Sequence, residues 1–177
     1  PNKNFVFLMP KANGPCRFGC YNALHKIILE RLGWKDRVRV WSPVDSGYFE
    51  GTPPGLAALI FSGFVAGDML LNGYYDAAAT ERRKGAAREI YERYFNALQE
   101  LSEAAASGNL TVANTLFQVA NGRLFGVGHL LRKAAAEYAS VKVRRPVPTV
   151  SLVGEIYVRC DPFSNDFVHE RLLERGI

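Results

Sequence analysis

A strand, a helix and a second strand within the first 41 residues most constrain the fold. The segment NFVFLM (4–9) has the length and composition of a buried strand, and a loop rich in Pro and Gly follows it. RVRVW (37–41) alternates like a strand, and Gly33 stands where a helix between the two would end. The apolar residues at helical spacing in that helix are Leu24, Ile27, Ile28 and Leu32. This pattern predicts two parallel strands joined by a crossover helix.

The middle of the chain is predicted to be helical. Residues 55–72 form an apolar helix, residues 77–106 a longer amphipathic one, and two more are predicted at 110–121 and 127–139. The apolar run at 56–71 is shorter than the roughly 20 residues that cross a bilayer and contains an Asp, so we expect a core helix. The face expected to be buried, against the sheet or the first apolar helix, includes Ile90, Tyr94, Leu98 and Leu101.

The last part of the chain is predicted to return to the sheet. Residues 149–159 have the pattern of a strand, and a helix should begin near 164, with Ser164 or Asn165 as its cap. We therefore expect an α/β fold, a three-layer Rossmann-like domain with a parallel sheet and additional helices. It would be a single domain over residues 1–177 with a helical insertion at about 55–139. The chain starts without Met and ends where such a fold needs another strand, which predicts a piece of a longer protein.

Composition narrows the possible functions. The net charge of +5 is mild, and basic and aromatic residues do not interleave as they do on nucleic-acid platforms, so we expect no nucleic-acid partner. Because the apolar run at 56–71 is too short to cross a bilayer, we also expect no membrane interaction. Three widely spaced cysteines and the lack of a signal-peptide pattern indicate a reducing, cytoplasmic location. The segment GRLFGVG (122–128) is not a dinucleotide fingerprint, and there is neither a Walker A loop nor a nucleophile elbow.

The three cysteines are the candidate functional residues. Cys16 follows the first predicted strand and Cys160 the last, so both would lie at the carboxyl edge of one parallel sheet, each ahead of a helix N-terminus. Cys20 would reach the same place from the first helical turn. Free cysteines are also common in protein cores, so packed sulfurs are the alternative. A thiol-nucleophile enzyme would need a His oriented toward Cys16, and the nearest in sequence, His25, is about a quarter-turn off.

Two segments resemble the signatures of a known family. They are PKANGPCRFGCYNALHKIILERLGW (10–34) and VSLVGEIYVRCDPFSNDFVHERLLERGI (150–177). Together they resemble the CoA-substrate-specific enzyme activase family, in its region similar to 2-hydroxyacyl-CoA dehydratase and benzoyl-CoA reductase subunits. The resemblance extends over essentially the whole chain.

This resemblance implies an oxygen-sensitive electron-transfer system of anaerobic metabolism. In that family an ATPase activator drives a low-potential electron into a cysteine-bound 4Fe-4S cluster, which reduces a CoA thioester or a related acceptor. The implied partners are the ATPase activase domain or dehydratase subunits, with a CoA thioester as a further candidate. The nucleotide-binding half lies outside these 177 residues, so we expect no ATP hydrolysis, and whether the chain alone is an enzyme stays open.

The resemblance also assigns roles to residues. Cys16 is implied as a cluster ligand, and Cys20 and Cys160 are candidates, although the family usually has Gln at the first of these two positions and often another residue at the second. Three thiolates would leave one iron of a 4Fe-4S cluster open to another ligand. The residues implied to shape the cofactor site are Gly14, Arg17, Gly19 and Tyr21 in the first segment and Glu155, Arg159 and Asn165 in the second.

Overall fold

The computed structural model describes residues 4–12, 14, 18–44, 47 and 49–177, with the backbone alone for Phe18 and Ile156. It divides into two compact units, which we call unit 1 (Pro1–Pro53) and unit 2 (Pro54–Ile177). Each unit is described by itself below.

Unit 1 contains the predicted strand–helix–strand pattern. Strand β1 (Phe5–Leu8) and strand β2 (Val38–Trp41) are parallel, with Phe5 opposite Val38 and Leu8 opposite Trp41. Helix α1 (Phe18–Arg31) connects them and ends just before Gly33, whose φ of +68° suits the turn that leaves a helix. The crossover unit predicted from the sequence is confirmed.

Unit 2 is helical. Its long elements are α2 (Pro54–Ala78), α3 (Ala86–Ala106), α4 (Val112–Ala120) and α5 (Val127–Val141), with a short 3₁₀ turn at Leu124–Gly126. Two short helices follow, α6 (Ile156–Cys160) and α7 (Val168–Glu174). Helices α2, α4 and α5 fall where helices were predicted, whereas α3 begins at Ala86 and not at residue 77.

Glu81 explains the late start of α3. Its carboxylate accepts hydrogen bonds from the backbone N–H groups of Gly85 at 2.6 Å and Ala87 at 2.8 Å. These N–H groups have no partner within the helix, and a carboxylate at a helix N-terminus is also favoured by the helix dipole. Gly85 adopts a φ of +92°, which helix residues do not, so the chain turns here and starts a new helix.

The core of unit 2 lies where α2, α3 and α5 meet. From α2 the fully buried residues are Ala66, Leu70 and Ala77. Ile90 and Leu98 of α3 are buried in the same cluster, and Tyr94 and Leu101 are partly buried against it. The predicted buried face of α3 is therefore confirmed.

Tyr138 of α5 packs closely against α2. Its hydroxyl donates a 3.0 Å hydrogen bond to the backbone oxygen of Leu70, and its ring lies against Gly73. Burial raises the pKa of Tyr138 to about 12, because the charged phenolate is poorly solvated there. The phenol is thus both a packing group and a buried hydrogen-bond donor.

The predicted three-layer Rossmann-like fold is wrong. The chain is 59% helical, and in the part that the structure describes the only sheet has two parallel strands. Residues 149–159 are not a strand: the chain is irregular up to Glu155 and then forms α6. The Glu155 carboxylate accepts a 2.9 Å hydrogen bond from Val158 N–H and so starts this helix. The last helix begins at Val168, with Asn165 Oδ1 accepting from its N–H at 3.2 Å.

Helix α2 is long and apolar enough to cross a membrane by length and composition. The core helix of a soluble protein meets the same criteria, and α2 packs against α3 and α5 along one side. Its other side exposes large apolar residues, and only 22% of the most apolar window is buried. The exposed residues include Phe61, Phe64 and Met69.

Substituting Gly73→Ala should destabilise unit 2. An ideal Cβ at this position would lie 2.8 Å from two ring carbons of Tyr138, so the helices would have to separate. We expect a loss of about 1–3 kcal/mol in the free energy of unfolding, measured by urea denaturation. Gly63→Ala on the same helix is the matched control, because its Cβ would meet nothing closer than Ser102 Oγ at 3.8 Å. This control should be neutral or stabilising by up to about 1 kcal/mol, and equal effects of the two substitutions would contradict the packing.

Candidate functional site

The candidate site lies at the carboxyl ends of the two parallel strands in unit 1. The two backbone segments stay paired past the ends of the strands. Met9 N–H donates to Trp41 O and Lys11 N–H donates to Pro43 O, both at 2.9 Å. The loop after β1 therefore leaves the sheet beside the segment after β2. Loops at this edge of parallel strands are where α/β proteins commonly place ligand sites.

Asn22 of α1 links the two strand ends. Its side chain is buried, and Nδ2 donates to the backbone oxygen of Met9 at 3.4 Å and to the hydroxyl oxygen of Ser42. One amide group thus connects the segment after β1 with the segment after β2. Asn22 was not among the residues predicted for the site, although a polar residue next to the cysteine loop was visible in the sequence.

At two positions of the first signature segment, the backbone geometry favours glycine over any residue with a Cβ. Gly14 has a φ of +106°, a region that residues with a Cβ rarely adopt. Gly19, in the first turn of α1, approaches the preceding loop so closely that a Cβ would lie 2.9 Å from the backbone oxygen of Ala12. A side chain at either position would therefore strain or crowd this loop. The part that the resemblance implies for both glycines in a cofactor site stays a prediction.

The remaining candidates of the first signature are placed in part. Cys16 and Arg17 lie outside the described residues. Cys20 and Tyr21 are exposed in the first turns of α1, and Cys20 is a free thiol. Cys20 therefore has the accessibility that a ligand needs.

In the second signature segment (150–177), a turn connects α6 to α7. Cys160 is an exposed free thiol at the last residue of α6. Asn165 Nδ2 donates a 3.0 Å hydrogen bond to the backbone oxygen of Arg159, which closes this turn. The hydroxyl and N–H of Ser164 hold the pKa of Asp161 below its usual value, because their hydrogen bonds favour the charged carboxylate. Glu155 thus caps α6 and Asn165 closes the turn, while Arg159 contributes its backbone oxygen. The cofactor-site roles implied for these three residues stay predictions.

The strand predicted to place Cys160 at the edge of the sheet is wrong. In the described chain the residues directly before Cys160 form α6, which Glu155 caps. Cys160 therefore does not follow a strand end, which was the reason to expect it beside Cys16. Cys20 belongs to unit 1 and Cys160 to unit 2.

The described donor atoms do not complete a cluster site. Among residues 4–12, 14, 18–44, 47 and 49–177, no group of three His, Cys, Asp or Glu side chains could hold a metal ion. Cys16, the position most strongly implied by the family resemblance, lies outside this set. Exposed soft thiolates are the appropriate ligand type for an iron–sulfur cluster, and the assignment of a 4Fe-4S cluster stays a prediction.

His25 lies between α1 and the sheet. Its ring packs edge-on against Phe7 of β1, with centroids 5.0 Å apart and planes at 77°. Nδ1 is buried and has no hydrogen-bond partner among the described residues. Together with Asn22, His25 makes the described side-chain contacts of α1 with the strand segments.

No family model, no curated protein and no solved structure matches this chain. The resemblance to the activase family therefore stays a prediction from the two signature segments. What the chain does has to be inferred from its own residues.

Substituting Asn22→Ala should loosen the strand-end loops. It removes the group that donates to Met9 and Ser42 and leaves the buried Met9 oxygen without this partner. The expected cost to unit 1 is about 1–3 kcal/mol. Hydrogen exchange should show faster exchange of the Met9 and Lys11 amides, which pair across the strand ends. Lys26→Ala, at an exposed position of the same helix, is the control and should leave both amides protected. Unchanged exchange in the Asn22 variant would contradict this role.

Proposed function

We propose that the chain is an iron–sulfur electron-transfer or partner-docking domain of an ATP-dependent activase and 2-hydroxyacyl-CoA dehydratase-like system in the cytoplasm. The partner is the ATPase activase domain or a dehydratase subunit. The observation that carries the docking role is the orientation of α1 in unit 1. This helix uses polar residues toward its own sheet and leaves its apolar stripe exposed.

Two faces of α1 support this proposal. On one face, Asn22 and His25 contact the segments of β1 and β2. At 100° per residue, Leu24 and Ile27 lie about 130–170° around the helix from the mean direction of Asn22 and His25. Ile28 lies about 90° and Leu32 about 50° from that direction, so the predicted apolar face extends from the far side of the helix toward its sheet side. All four are between 41% and 54% exposed: Leu24, Ile27, Ile28 and Leu32. We call these four residues the α1 stripe.

The strand β1 adds to the exposed apolar surface of unit 1. All four of its residues are exposed, from 40% for Phe7 to 67% for Val6. Large exposed apolar patches usually mark protein–protein contacts. Because Cys20 lies in the first turn of α1, four residues before Leu24, a partner docked on the α1 stripe would lie close to a candidate ligand. Electron transfer requires that proximity.

A metal-free module that binds CoA or a neighbouring domain is the second candidate. Its support is the exposed apolar surface of unit 1, which a neighbouring domain could cover without any metal. In this case the exposed apolar residues would have the same docking role, and the cysteines would be ordinary thiols. The two candidates differ in whether the chain binds iron.

Anaerobic reconstitution with iron and sulfide distinguishes these candidates. We expect the wild-type chain to bind iron and sulfide in the ratio of a 4Fe-4S cluster and Cys16→Ala to lose most of both, measured by metal and sulfide analysis. Ser107→Ala, at an exposed position, is the control. If wild-type protein binds no iron, the metal-free candidate is correct. If the double variant Cys20→Ala plus Cys160→Ala assembles a normal cluster, these two thiols are not ligands.

Substitutions in the α1 stripe should weaken docking. Leu24→Glu combined with Ile28→Glu places two charges on the apolar face, where each would be desolvated by a partner. We expect at least about tenfold weaker binding of the purified ATPase activase component, measured by anaerobic sedimentation. Leu116→Glu, at an exposed apolar position of α4 in unit 2, is the matched control. Equal loss in the control, or no binding by the wild-type chain, would contradict the docking surface.

A further inference from the structure

Unit 2 contains a cavity that no described cysteine lines. It has a volume of about 550 Å³ and lies between the end of α3, helix α4 and the start of α5. This volume is within the range of small-molecule sites, which is roughly 300–1,000 Å³. One wall is apolar, with Leu101, Ala104, Ala105 and Phe125.

The described ionisable side chains that line this cavity are two arginines and one histidine. Arg123 lies in the turn after α4, and His129 and Arg132 lie three residues apart on one face of α5. No Asp or Glu is among the described residues that line the cavity, and in the described part of the chain no carboxylate pairs with these three side chains. Other guanidinium groups of unit 2 do have carboxylate partners, for example Arg83 with Glu89.

Two side-chain amides add hydrogen-bond donors. Gln118 uses its Oε1 to accept from Phe125 N–H at 3.1 Å, and Asn109 uses its Oδ1 to accept from Thr111. In each case the oxygen is occupied, and the NH₂ group has no protein partner among the described residues. The cavity therefore presents N–H donors from two amides and two guanidinium groups, a set that matches an anionic acceptor.

The turn that carries Arg123 is held in an unfavourable conformation. Leu124 and Phe125 have φ values of +47° and +59°, where residues with a Cβ are uncommon. Such backbone is energetically unfavourable and persists only when surrounding contacts hold it. The Gln118 hydrogen bond to Phe125 is one such contact, and the Arg123 guanidinium lies 5.8 Å from the ring centre of Phe117. Both contacts keep Arg123 at the cavity.

We propose that this cavity binds a small organic molecule that carries a phosphate group. The phosphate would accept hydrogen bonds from Arg123 and Arg132, and the organic part would lie against Leu101 and Phe125. A phosphate has more acceptor oxygens than a carboxylate and can use both guanidinium groups and an amide at once. This site goes beyond the proposed function, because it uses no cysteine and lies in unit 2.

Calorimetric titration of the purified, cluster-free chain tests this site. The probes are phenyl phosphate, inorganic phosphate and benzoate at fixed ionic strength, and we expect phenyl phosphate to bind most tightly. Arg123→Ala and Arg132→Ala should each weaken its binding about tenfold, since each removes a charge-assisted hydrogen bond. Lys133→Ala removes the same charge from the neighbouring position of α5, which does not line the cavity, and should change binding less than about twofold.

Several results would overturn the proposal. Equal losses in Lys133→Ala and Arg132→Ala would show general charge attraction, and benzoate binding as tightly as phenyl phosphate would reject the phosphate class. Absence of saturable binding by any probe would reject the site. Circular dichroism checks that each variant is folded, and Arg123→Lys and Arg132→Lys give a second measurement. Each should bind more weakly than wild type but more tightly than its Ala variant, because charge is kept and the planar donor pair is lost.

Discussion

The approach of the Tyr138 ring to Gly73 sets the distance between α5 and α2, on which the packing of unit 2 depends. Because Gly73 lacks a Cβ, the ring reaches the backbone of α2, and its hydroxyl satisfies the Leu70 oxygen. Small residues continue this close contact, since Ala66 and Ala77 are fully buried on the same helix. Close-packed interiors tolerate little change in volume, so α2 has a defined buried side even though its composition is apolar nearly all round.

The helices were predictable from the sequence, but their boundaries and the last strand were not. Helical periodicity is visible along one chain segment, which is why α2, α4 and α5 were found and the buried face of α3 was correct. The start of α3 depends on Glu81 reaching two N–H groups, and such a contact leaves no periodic signal. Residues 149–159 contain β-branched residues, but β-propensity mainly measures how well a side chain fits next to a neighbouring strand. In the described chain no neighbour is present, and Glu155 instead starts a helix.

Tertiary contacts of the candidate site could not be predicted from the sequence. Gly14 and Gly19 were named through the family resemblance, and they occupy backbone positions that a Cβ would strain or crowd. Asn22 was missed because its partners, Met9 and Ser42, are 13 and 20 residues away in sequence and become neighbours only when the strands pair. The strand predicted before Cys160 was wrong for the same reason, because the existence of a strand depends on pairing. The helix that contains Cys20, in contrast, was visible from local periodicity.

The amphipathic pattern of α1 predicts that its apolar face is covered. The pattern does not identify the element or partner that covers it. The predicted apolar face is present, but α1 contacts its own sheet through Asn22 and His25, and the α1 stripe stays exposed. A sheet of two strands is only marginally stable without further packing, and β1 exposes all its side chains. Any partner that covers these residues therefore stabilises unit 1 as well as binding it, since a ligand that prefers the folded state shifts the folding equilibrium. Docking would in this way also stabilise helix α1, in whose first turn Cys20 lies.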